Sequence, residues 1–407
     1  MLLSGTNFAV SLLLIRYATD RDYGIYVLLQ SAVLLLTSAQ SAWLTGPLAT
    51  LTAKLLPDVR AQTITSVRSV QLRALLLGAL PLFLVPAVGY AAGYFSGLVA
   101  IVVAIGIVAC WGALRREYLR STLFMYAQPH ALLRADATYA VVLIAVVVAG
   151  LIGGKYVVVV AACGVAVAAL TGDAVAKRSI AATPGWPAGE GAPIWPQLRN
   201  LGNWALLGST IYWFLGQSYS YMLATRLDLK AVADVNAMRA LMNPAILLTV
   251  GIVSMLMPTA ARWYAQIGLN RLVRRLLLVL LLVGAAEVAY FIAVWLGRDW
   301  LVHNLFHKVI QDRDRLLILW GCLAITALFR DILQCALTAM GRFRSLAWQV
   351  GISAAVAVLL MWYGVRWWGA PAVLIGQIVG EVINVIGIVF LLRQSMRRSA
   401  ATQLPTI

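Results

Sequence analysis

Arg239 stands in the stretch ADVNAMRALMN (233–243), inside an otherwise apolar run. A guanidinium is permanently charged and offers a planar fork of donors that matches phosphate or carboxylate. Placing one near the middle of a membrane helix costs on the order of 2.5–3.5 kcal/mol. Arg239 must therefore face water or an anion, or snorkel along its helix to the headgroups. Asn236 and Asn243 share its helical face. Gln217 and Tyr221, with Tyr212 alongside, form a second polar stripe on the preceding apolar run, and Asn7 and Gln30 stand on stripes of the first two runs. Such stripes line a water-filled cavity or knit packed helices together. Arg16 and Arg226 mark equivalent ends of the first and seventh runs.

Carboxylates are fewer. Glu381 lies between Gln377 and Asn384, about one turn from each. It reads either as a protonatable coupling residue or as a polar clamp between helices. Glu287 has no polar stripe around it. Arg116-Glu117 and Arg330-Asp331 are expected near the cytoplasmic ends of two spans, as structural salt bridges at a gate or loop.

Other chemistry is poorly supported. Cys110, Cys163, Cys322 and Cys335 are scattered without C-x-x-C spacing, which suits small buried hydrophobes better than a disulfide or metal site. His303 and His307 have a spacing that zinc accepts but no third ligand nearby. No Gly-rich phosphate loop or Ser/His/Asp arrangement is found. No metal, cofactor or catalytic residue is expected.

The elements that must position these side chains follow from composition. Of 407 residues, 62% are hydrophobic and 12% charged, against about 45–50% and 25% in soluble domains. Mean hydropathy is +0.87. The fold class is therefore all-α, a polytopic membrane protein. Apolar runs at 2–16, 25–51, 74–96, 98–114, 136–152, 156–175, 200–224, 231–257, 275–297, 314–338, 347–366 and 370–392 predict about twelve transmembrane helices. The first run offers about 15 residues, short of the roughly 20 a span needs, which leaves room for a cytoplasmic end upstream of Met1. It lacks the basic flank and cleavage site of a signal peptide.

A cytoplasmic N-terminus puts Arg60, Arg115, Arg120, Arg274, Arg275, Arg342, Arg397 and most other basic residues on one side. The opposite side receives about half as many. Both termini are therefore expected in the cytoplasm. The net charge of +17 is then mostly topogenic, with anionic membrane lipid, not nucleic acid, as the default partner.

LRREYLRSTLFMYA (114–127) is echoed by LFRDILQCALTAMG (328–341), LLIRYATD (13–20) by LATRLDLK (223–230), and Gly172-Asp173 by Gly380-Glu381. Six spans lie on each side of a polar, Pro/Gly-rich segment. This predicts a parallel repeat: an N-terminal six-helix lobe at 1–176, a cytoplasmic linker at 177–199 and a C-terminal six-helix lobe at 200–407. Two such lobes suit an alternating-access transporter more than an enzyme, since no connection exceeds roughly 25 residues and no reactive cluster accompanies one. A monomer is expected, because one chain supplies both lobes.

NFAVSLLLIRYATDRDYGIYVLL (7–29) resembles the opening of Wzx-type polysaccharide flippases of the MOP superfamily. The resemblance rests on Asn7, Leu14-x-Arg16-Tyr17 and Tyr23-Gly24-x-Tyr26. REYLRSTLFMYAQPHALLRADATYA (116–140) is similar to that family's entry into its fifth span, through Arg116, Phe124, Arg134 and Asp136. Ala18-Thr19 replaces the family's usual Leu-Gly.

The resemblance implies a MOP/MATE-like fold. It also implies export of an undecaprenyl-diphosphate-linked oligosaccharide across the bacterial inner membrane, with a polysaccharide polymerase and glycosyltransferases as partners. Arg239, with Arg16 or Arg226, would then meet the diphosphate. Asn7, Gln30, Tyr212, Gln217, Tyr221, Asn236 and Asn243 would line the cavity for the sugars. Glu381 is the candidate for ion coupling. A MATE-type cation or drug antiporter remains open, though the chain has few mid-membrane acids to attract cations. A polytopic ligase or acyltransferase is the third possibility.

Overall fold

The computed structural model describes residues 2–52, 55–126, 128–154, 156–181, 194–307, 310–340 and 342–402. Its regular elements, among the described residues, are all helices. Hydrocarbon offers no partner for a backbone amide, so a greasy chain closes its hydrogen bonds within each segment.

Twelve long helices follow one another among the described residues. In the first half they are α1 (Leu2–Tyr17), α2 (Asp20–Ala49), α3 (Asp58–Ala91), α4 (Gly97–Met125), α5 (Pro129–Gly153) and α6 (Val157–Ala181). The second half has α7 (Trp195–Arg226), α8 (Leu229–Met257), α9 (Gln266–Leu296), α10 (Arg313–Ala339), α11 (Ser345–Trp368) and α12 (Pro371–Arg397). All but α1 and α7 have the length and apolarity to cross a membrane by themselves. Each of the expected spans falls on one of these helices. Most of the expected linker, 182–193, lies outside the described residues.

Local signals fix the ends. The Thr19 hydroxyl accepts the Asp22 amide at 3.1 Å to start α2, and the Asp228 carboxylate accepts the Ala231 amide at 2.7 Å to start α8. Pro129 occupies the first turn of α5, where its missing N–H costs nothing. The connection from α8 to α9 is helical except at Gly268, whose φ of 73° excludes most side chains. Within α2 the hydrogen bonding widens to a π-helical turn at Ser41–Thr45.

Two compact units divide at Thr210 and Ile211. In the first, α4 and α6 pack on each other, as do α5 and α6. Tyr118, Leu119 and Leu123 of α4 meet Leu44 and Leu48 of α2 in a buried core. That core also takes Ile194 and Leu198, from the stretch read as linker, so the start of α7 packs in this unit. The Trp43 indole N–H donates to Asn203 at 2.9 Å, and a Cβ at residue 202 would strike the Trp43 carbonyl, so glycine is required there. In the second unit α10 is central. It packs against α8, α9 and α12 and buries Leu328, Ile332 and Leu337 among Leu272, Leu276 and Ile388.

Candidate functional site

A cavity of about 140 Å³ lies inside the second unit. Helix α8 brings Arg239 and Thr249 to its wall, α9 brings Glu287, α10 brings Trp320, Arg330 and Asp331, and α12 brings Gln377 and Glu381. Two guanidiniums and three carboxylates thus converge in the middle of a membrane bundle.

Arg239 is held by neutral groups. Its Nη1 donates to the Tyr219 hydroxyl at 3.0 Å and to Gln217 Oε1 at 3.3 Å. Its guanidinium carbon lies 5.6 Å from the centre of the Trp320 ring. The supporting groups are fixed in turn. Tyr219 donates to Asn236 Oδ1 at 2.8 Å, Asn236 donates to the Val232 carbonyl at 2.9 Å, and the Trp320 indole donates to the Val235 carbonyl at 2.9 Å. No carboxylate stands within ion-pair distance of Arg239 among the described residues. A half-buried cation without a counter-charge is costly, and its remaining donors invite an anion.

The other wall is acidic. Arg330 makes an ion pair with Glu381 and another with Asp331 at 2.9 Å. Glu287, only 2% exposed, accepts a hydrogen bond from the Thr249 hydroxyl. The second carboxylate oxygens of Glu287 and Glu381 are buried with no hydrogen-bond partner. Charge is therefore segregated: one guanidinium is free of acids and one carboxylate is free of bases.

Of the residues singled out in the sequence, Arg239, Gln217, Asn236, Arg330, Asp331 and Glu381 come together here. Asn236 serves by orienting Tyr219, not by facing the cavity. Asn243 is half-buried outside the cavity wall, and Tyr221 is half-buried with its ring 5.8 Å from Trp213. The Tyr212 side chain lies outside the described residues. Arg226 is exposed at the end of α7, 3.7 Å from the centre of the Trp362 ring. Arg16 is exposed at the end of α1, 5.2 Å from the centre of the Tyr17 ring. Asn7 and Gln30 belong to the first unit, where the side-chain oxygen of each is buried without a hydrogen-bond partner.

Three expectations need correction. Arg330-Asp331 is not at a gate or loop: α10 continues to Ala339, and the pair forms part of the cavity wall. Arg116-Glu117 likewise lies within α4, and there Arg116 turns away from Glu117 to Asp136 at 3.5 Å, while Glu117 meets Arg120 at 3.3 Å. The scarcity of mid-membrane acids, held against cation handling, does not extend to this cavity, where three gather. Glu287 carries little signal in the sequence because its own helix has no polar stripe; its partner Thr249 is on a different helix. Hydroxyls along α2 and α7 are weak signals of a cavity. Thr37 and Thr225 bond carbonyls of their own helices at 2.7 and 2.9 Å, which satisfies them without any cavity.

No family model and no curated protein matches the sequence. The fold does match solved structures. A lipid II flippase, MurJ, in an inward closed conformation superposes with a TM-score of 0.77 at 10% identity, over 96% of this chain and 86% of that one. An inward-facing multidrug-resistance MATE transporter of the MOP superfamily gives 0.76 at 13% identity, over 99% and 96%. The Vibrio cholerae MATE transporter VcmN in its bent form gives 0.60 at 14%, over 98% and 95%. At these identities the likeness is one of fold. The described chain shares the all-helical fold of these structures, and ten of its helices are long and apolar enough to cross a membrane.

Proposed function

We propose that this chain is a flippase that moves an undecaprenyl-diphosphate-linked oligosaccharide across the bacterial inner membrane by alternating access, with both termini in the cytoplasm. The observation that carries the reading is Arg239: a guanidinium within an apolar helix, lining a cavity, tethered to Gln217 and Tyr219 and with no acid at ion-pair distance among the described residues. A diphosphate moving through the membrane needs donors in place of its hydration shell, and a guanidinium fork supplies them in matching geometry. Trp320, which lines the cavity beside it, offers an aromatic surface on which sugars stack.

The fold shared with a flippase of a lipid-linked substrate supports the same assignment. An inside-negative potential favours outward movement of the anionic head, by about 2.3 kcal/mol per charge per 100 mV. A polymerase and glycosyltransferases would act on the same substrate. Glu381 remains the candidate for ion coupling, with Glu287 beside it.

The test is export in cells carrying Arg239→Ala. Loss of polymer, with the protein still folded in the membrane and lipid-linked intermediates accumulating on the cytoplasmic side, is the expected result. Normal export removes Arg239 from the site.

A second reading, a MATE-type cation antiporter, is favoured by Glu287, a carboxylate in the cavity that bonds only Thr249. It requires uptake of organic cations by proteoliposomes, and that uptake should fall in Glu287→Gln. The flippase reading expects no such uptake.

A further inference from the structure

The second unit contains another cavity, of about 120 Å³, lined by Val253, Met257, Gln334, Val350 and Asn384. Arg330 and Asp331 line it too, and they also line the cavity described above. The two spaces are stacked. On α8 the first cavity reaches Val250 and the second begins at Val253; on α12 the first ends at Glu381 and the second takes up Asn384. On α10 the second continues one turn further, to Gln334. Residue numbers advance in the same direction on all three helices. The cavities therefore succeed one another along the bundle axis, with Arg330-Asp331 as the partition.

Both spaces suit water. A water molecule takes about 30 Å³ in the liquid and needs polar partners. The first cavity presents carboxylate oxygens of Glu287 and Glu381 that are buried with no hydrogen-bond partner. At the second, Asn384 Nδ2 is buried in the same condition, as is Oε1 of Gln349, whose amide N–H donates to Asn384 Oδ1 at 2.9 Å. Buried polar atoms of this kind are ordinarily satisfied by ordered water.

A chain of water and carboxylates across a membrane protein relays protons. The partition decides whether this one does. Arg330 joins Glu381 to Asp331, and a guanidinium stays protonated at any physiological pH, so it neither gives up nor passes a proton. Its fixed positive charge also disfavours a hydronium beside it.

We infer that Arg330 is a proton-tight septum, separating two hydrated cavities that would otherwise form a continuous polar track through the second unit. The inference does not depend on the cargo, because the leak it concerns is measured without any.

The test uses the full chain in liposomes loaded with a pH-sensitive dye, under an inside-negative potassium diffusion potential. Wild type should be tight. Arg330→Gln leaves Asp331 and Glu381 open to both cavities and should raise proton entry at least about tenfold. Val350→Ala loosens the packing of the second cavity while keeping the guanidinium in place, and should stay within about twofold of wild type. A tight Arg330→Gln protein that remains folded overturns the inference. So does a Val350→Ala protein that leaks as fast, because loose packing would then be the cause. Hydration is checked separately with Gln334→Cys in a background whose native cysteines are serine: labelling by a water-soluble thiol reagent is expected, and its failure means that the second cavity is dry.

Discussion

In the first unit three neighbouring guanidiniums each end on an acid. Arg115 meets Asp173 at 2.7 Å, Arg116 meets Asp136 at 3.5 Å, and Arg120 reaches both Asp136 and Glu117 at 3.3 Å. The Tyr139 ring closes over Arg116, with 3.9 Å between its centre and the guanidinium carbon. In the second unit Arg330 occupies the place that Arg116 has in the echoed stretch, and it too is paired with acids. There the likeness stops. Arg239 and Glu287 line one cavity, and among the described residues only neutral groups are bonded to them. One half uses its buried charges against each other, as a staple between α4, α5 and α6. The other keeps some charge in reserve for something that is not part of the protein. The echoed motif is paired with acids in both halves, and what separates the halves is whether the other charges around it are neutralised as well.

The contrast breaks most easily at Arg116. Arg116→Ala leaves the buried Asp136 with Arg120 as its remaining counter-charge and empties the space beneath the Tyr139 ring, a loss toward the lower end of the about 3–5 kcal/mol that breaking a buried pair costs. A large fall in thermal stability in detergent is expected. A variant as stable as wild type that has lost only transport would place the first cluster in a site, against this view.

Arg239→Ala should do the reverse. Its loss of transport is expected to be about a hundredfold, near 2.7 kcal/mol, while the melting temperature stays close to that of wild type because no acid is left unpaired.

Glu287→Gln keeps an acceptor for Thr249 and removes the charge. About a tenfold loss in transport with unchanged stability is expected if the acid takes part. Unchanged transport would make it a packing residue and shrink the difference between the halves.

The smallest effect is expected from Trp43→Phe, which deletes the bond to Asn203 and should cost about 1 kcal/mol, read as a small shift in melting temperature.

Much of this was legible in the chain itself. The apolar runs located the long helices, ten of which are long and apolar enough to cross a membrane, because hydrocarbon imposes a length and a polarity that no soluble core demands. Arg239 and Glu381 stood out because a charge in such a run needs a reason. The pairing of charges was not legible. Thr249 with Glu287, Arg116 with Asp136, and Tyr219 with Asn236 join different helices, and periodicity along one helix is blind to its neighbours. Arg116-Glu117 reads like Arg330-Asp331, which does pair at 2.9 Å, but Arg116 is drawn to Asp136 on α5 and Glu117 to Arg120. Ile194 and Leu198 read as linker because they precede the seventh apolar run, whereas they pack in the first unit's core.

The central claim is that Arg239 is kept free for a phosphorylated headgroup. Its most direct test is a titration of the purified full-length protein with undecaprenyl diphosphate in detergent, followed by tryptophan fluorescence, comparing wild type with Arg239→Ala. Saturable binding that weakens at least about tenfold in the variant, equal to about 1.4 kcal/mol, is the expected result. Equal affinity in the two proteins would contradict it.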